Sequence, residues 1–62
     1  MTIDRARELL QIQAGLASGY NRNAAKLILA EVFREHGQEA VDRLIRELDL
    51  SQVFDFEPGM RL

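Results

Sequence analysis

The chain has 62 residues, 47% hydrophobic and 29% charged, with a net charge of −2, one histidine and no cysteine. That length allows one domain, which buries only about 60% of the surface its unfolded chain exposes. The composition excludes disulfide staples and thiolate metal sites, argues against intrinsic disorder, and lacks the positive excess of domains that coat nucleic acid.

A core this small is marginal without a staple. The staples left to it are regular helix packing and self-association, so size alone favours a dimer. No apolar run approaches the ~20 residues that span a bilayer. The opening Met1-Thr2-Ile3-Asp4-Arg5 begins no signal-peptide pattern. The expected location is the cytoplasm.

The first helix is expected to start after Thr2, whose hydroxyl can accept a free backbone N–H. Asp4 then stands in the first turn, where the helix dipole favours negative charge. Ile3, Ala6, Leu9, Leu10, Ala14, Leu16 and Ala17 recur at helical spacing and predict one broad apolar face. Ile12 falls toward its edge. Ser18-Gly19 is the expected stop.

A polar connection through Tyr20-Asn21-Arg22-Asn23 follows, and either asparagine can cap the next helix. That helix is predicted from about Ala24 to His36, with Gly37 leaving it. Ala25, Ile28, Leu29, Val32 and Phe33 make its main face. Leu27 and Ala30 point elsewhere, beside Lys26 and Arg34. A helix apolar on more than one side is usually covered on more than one side.

The third helix, about Gln38 to Leu48, is the cleanest amphipath. Ala40, Val41, Leu44, Ile45 and Leu48 fill one arc; Glu39, Asp42, Arg43, Arg46 and Glu47 fill the other. Glu39–Arg43 and Asp42–Arg46 are i,i+4 pairs in the favourable order. After Asp49, Ser51 can cap a single turn through Gln52 and Val53. Phe54 and Phe56 precede the turn signal Pro58-Gly59. Burying a phenylalanine contributes about 1.5–3 kcal/mol, so this aromatic tail is expected to lie across the helices or across a neighbour.

Little in the chain points to catalysis. His36, flanked by Glu35 and Glu39, is better read as a last-turn residue favoured by the dipole. Ser18 and Ser51 sit where serine caps. Glu31, Glu35 and Glu39 form an acidic stripe of the kind usually left to water. The four glycines are scattered and form no phosphate loop. No catalytic, cofactor-binding or metal-ligating residue is assigned, and no small-molecule substrate is expected.

Two binding readings remain. The stretch from Ala14 to Lys26 resembles a helix-turn-helix, with Gly15 four positions before Gly19, then Tyr20, and Ala25 and Ile28 as inward anchors. On that resemblance Asn21, Arg22, Asn23 and Lys26 would meet DNA. Against it stand Glu31 and Glu35 on the same helix and the negative net charge. The second reading is protein contact. Leu27, Ala30 and Phe33 can face a second copy, and Phe54 and Phe56 can close over that contact or dock elsewhere. In size and helical-hairpin character the chain is similar to small plasmid-encoded helical dimers and small phage regulators.

The expected fold is all-α: a three-helix domain over residues 1–57, its helical hairpin joined at Gly37, with a turn and tail at 58–62. The expected function is regulation or adaptation by direct protein–protein contact as a homodimer. DNA binding through the 21–33 helix is the alternative. A membrane role is not expected, since the basic residues are few and interleaved with acids.

Overall fold

The computed structural model describes residues 1–16 and 21–62. Among them the chain is all-helical, with α1 (Ile3–Leu16), α2 (Asn21–His36), α3 (Gln38–Glu47) and a short α4 (Leu50–Phe54). Ala17 and the residues of the expected stop and connection, Ser18, Gly19 and Tyr20, lie outside the described residues.

Thr2 caps α1 as its sequence position suggests: the Arg5 amide donates to Thr2 Oγ1 at 3.1 Å. The buried face of α1 is narrower than its apolar letters imply. Ala6 and Leu10 are buried, Ile3 and Ala14 partly so, while Ile12 is 51% and Leu16 63% exposed. Leu16 follows Leu10 by six residues, about 240° round the helix, which carries it off the core side.

Helix α2 begins at Asn21, a few residues before the expected start. It runs antiparallel to α1. Asn21 Nδ2 donates to Gln13 Oε1 at one end, and His36 Nε2 lies 2.9 Å from the Met1 carbonyl oxygen at the other. Ala25, Leu29 and Val32 are buried between α1 and the later helices.

Gly37 makes the joint to α3. Its amide donates to the Phe33 carbonyl at 2.9 Å, and its φ of 90° with ψ of 175° is a backbone region that only glycine enters cheaply. Val41, Leu44 and Ile45 then turn inward, so the amphipathic pattern of α3 is realised almost letter by letter. Its predicted i,i+4 ion pairs are not formed. The Asp42 carboxylate instead accepts from Gln38 Nε2 at 2.8 Å and from the Gly59 amide at 2.7 Å.

The turn expected after Asp49 is the five-residue helix α4, which starts at Leu50, and Ser51 does not cap it. Asp49 stands at the N-cap in a left-handed conformation with φ 55°, and Asp55 ends the helix the same way with φ 63°. Aspartate is among the residues that tolerate this region best. Ser51 lies inside α4, and its hydroxyl donates to the Phe56 carbonyl at 2.7 Å.

These two left-handed turns fold the aromatic tail back onto the helices. Phe56 is fully buried and Phe54 nearly so, their ring centroids 5.5 Å apart at 32°. Arg22 fastens them to α2: its Nε donates to the Phe54 carbonyl at 2.9 Å and its guanidinium lies 5.1 Å from the Phe56 ring centre. Glu57-Pro58-Gly59-Met60 closes a turn, with the Met60 amide donating to the Glu57 carbonyl and Gly59 at φ 85°. Met60 and Leu62 pack against the core from outside. No helix among the described residues is long and apolar enough to cross a membrane.

Candidate functional site

Among the described residues the core takes one side of α2 and leaves Leu27 and Phe33 exposed on the other. Leu27 is 72% exposed and Phe33, three and six residues past Ala30 and Leu27, is 41% exposed. By 3.6 residues per turn, Leu27 and Phe33 lie about 60° to either side of Ala30. Asn23, Lys26 and Arg34 fall within the same arc, and Glu31 stands just beyond Leu27 at its edge. Isolated exposed apolar residues are ordinary on protein surfaces. Here they are grouped on one helix whose opposite side builds the core.

That grouping has a shape. Asn23, Lys26, Leu27 and Ala30 line an open groove of about 440 Å³, and Leu62 from the C-terminal segment forms its remaining wall. Ala30 contributes only a methyl group, which makes the depression. Leu27 and Leu62 make its apolar walls. Lys26 reaches it with a long aliphatic stem and has no hydrogen bond or ion pair among the described residues.

The residues expected at an interface therefore separate into two groups. Leu27, Ala30 and Phe33 share the outward face of α2. Phe54 and Phe56 turn into the chain's own core, where Arg22 and each other are their neighbours. Both rings are closed off from a docking partner while the chain is folded.

The residues expected at DNA divide as well. Asn21 is bonded to Gln13 and Arg22 is committed to Phe54 and Phe56. Asn23 and Lys26 remain on the surface, both in the wall of the groove.

The titratable side chains take structural roles. Arg7 of α1 bridges Asp4, at 2.6 Å, and Glu47 of α3; the Glu47 and Asp4 carboxylates hold its proton more tightly than usual. The Met1 amino group donates to both oxygens of Glu35, at 2.6 and 2.8 Å, and this pushes the Glu35 carboxyl below its ordinary range. Asp42 is lowered too, first by its bond from Gln38 and then by the Gly59 amide. His36 sits on the Met1 carbonyl. A second depression, about 410 Å³, is lined by Glu39, Arg43, Arg46 and Glu47, two charges of each sign. Among the described residues no group of three or more His, Cys, Asp and Glu side chains is arranged to hold a metal ion.

Sequence reasoning found Leu27 and Ala30 by their position on the wrong side of an amphipath. It missed Leu62, because nothing in the local pattern says that the C-terminal segment returns to α2. No family model, no characterised protein and no solved structure matches the chain.

Proposed function

We propose that this chain is a small regulatory or adaptor protein that acts by direct protein–protein contact, as a homodimer, through the outward face of α2. The observation that carries this reading is Leu27. A leucine 72% exposed beside an apolar groove is surface that water covers at a cost and a partner covers at a gain.

Size supports the same conclusion. A chain of 62 residues stands near the limit at which one hydrophobic core suffices. Burying the outer face of α2 adds apolar area that the single chain leaves in water. Association with a partner that binds only the folded form stabilises that form by mass action.

The DNA alternative draws less support. It retains Asn23 and Lys26, whereas Arg22 would have to leave Phe54 and Phe56 to reach a base. A net charge of −2 also supplies little long-range attraction to phosphates.

Sedimentation velocity across a dilution series tests the homodimer. The expected result is a concentration-dependent shift from one chain to two. A single species at the mass of one chain, 7.1 kDa, up to high micromolar concentration overturns it.

A further inference from the structure

Resting on that reading of α2, we propose that the groove is the receptor for Phe33 of a second copy, in an antiparallel pair whose two-fold axis passes Ala30. Among the described residues the groove is a hole with no side chain in it. Four of its lining residues, Asn23, Lys26, Leu27 and Ala30, belong to α2, and its volume of about 440 Å³ accommodates a phenyl ring. Phe33 is a knob without a hole, a large aromatic ring 41% exposed on the same side of the same helix.

The two cannot meet within one chain. At 1.5 Å rise per residue, the middle of the hole and Phe33 are about 10 Å apart along a rigid helix. A two-fold axis perpendicular to α2, midway between them, exchanges them between copies. The midpoint of Phe33 and the four α2 lining residues falls at Ala30. That is where the pair needs its smallest side chain, since helix axes approach to ~8 Å only over small residues. Ala30, whose methyl group makes the hole, is thus also the pivot of the pair.

The flanking chemistry fits the same geometry. An antiparallel two-fold pair sets like edges of the helices together. Lys26 then stands across from the second copy's Phe33, and its ammonium, unpaired among the described residues, gains a ring face to rest on. On the other edge Leu27 faces the aliphatic stem of the second copy's Arg34. The contact is isologous, so it closes at two chains and does not propagate into a fibre.

Engineered thiols test the register, because the chain contains no cysteine of its own. A disulfide forms readily when Cα atoms are about 4.4–6.8 Å apart and not beyond about 7 Å. Ala30→Cys lies on the proposed axis and should give a covalent dimer under mild oxidation. Asn23→Cys should not, since antiparallel copies separate the two Asn23 positions by about 20 Å along the helices. Phe33→Ala, in the chain without added cysteine, should weaken association at least tenfold while leaving the far-ultraviolet circular dichroism of the monomer unchanged.

Cross-linking through Asn23→Cys would overturn the antiparallel pair in favour of a parallel one. Efficient cross-linking at Ile12→Cys, with none at Ala30→Cys, would move the dimer to the exposed α1 edge. A dimer that Leu27→Glu dissociates, but that Ala30→Cys does not cross-link, overturns the register and spares the reading of α2 as an interface. A single-chain mass for the unaltered protein overturns both.

Discussion

Replacing Phe56 by alanine removes a fully buried ring from a core to which the described residues contribute eleven buried hydrophobic side chains. Large-to-small changes of this kind cost about 3–5 kcal/mol, the lost transfer energy plus the cavity left behind. Loss of the Arg22 guanidinium's position over the ring adds roughly 0.5–1 kcal/mol. A domain of this length has a total stability of about 3–9 kcal/mol, from 0.05–0.15 kcal/mol per residue. Phe56→Ala is therefore expected to consume most of that stability or all of it. Each kcal/mol shifts the midpoint of a domain this size by about 4–8 °C, so a variant that still folds should melt at least ~12 °C below its parent. Thermal and urea unfolding followed by circular dichroism at matched chain concentration measures both quantities. Phe56→Leu keeps most of the apolar volume and should remain folded. A Phe56→Ala loss below about 1 kcal/mol would refute the reasoning, because the tail would then be surface and the ring available to a partner.

Gly37→Ala should destabilise the chain by about 1–3 kcal/mol. The cause is the backbone at φ 90°, where a side chain is strained whatever space surrounds it; chemical denaturation reads the loss directly, and a neutral effect would mean that the α2–α3 joint relaxes freely. The Asp42 carboxyl is held below its ordinary range by Gln38 and Gly59. Its contribution is therefore complete above the unfolded carboxylate pKa of about 4 and is lost as pH falls through the lower folded value. Asp42→Asn should flatten the acid limb of the stability profile below about pH 4; profiles that coincide there would show that the Gly59 turn draws nothing from the charge.

The parts of the fold that the sequence foretells are those governed by local pattern. Thr2 caps because its hydroxyl reaches an amide three residues on. Helix α3 follows its apolar arc because nothing competes with it. The two-sidedness of α2 is visible in Leu27 and Ala30 without any tertiary information. The parts it does not foretell depend on contacts distant along the chain. Asp42 is a plausible partner for Arg46 by spacing, yet the Gly59 amide, seventeen residues away, takes it. The inward turn of Phe54 and Phe56 depends on two aspartates in left-handed conformations, and composition alone does not distinguish such an aspartate from an ordinary surface residue. Leu16 has the letter of a core residue and the angle of an exposed one.

The same division applies to the candidate interface. Leu27 and Ala30 are readable as surplus to the main apolar face of α2, whereas Phe33 belongs to that face by spacing and is 41% exposed in the structure. Their organisation into a groove required Leu62, whose position is set by the turn at Pro58-Gly59. Arg22 illustrates the converse. Its letter suits a nucleic-acid contact, and its geometry gives it to the tail.

The most direct test of contact through α2 is light scattering on the parent and on Leu27→Glu at the same high micromolar concentration. Leu27 is 72% exposed, so its replacement should change the stability of the single chain by no more than about 0.5 kcal/mol. The account predicts twice 7.1 kDa for the parent and 7.1 kDa for the variant, with superimposable far-ultraviolet circular dichroism. A parent at the mass of one chain, or a Leu27→Glu variant that remains a dimer, would contradict it.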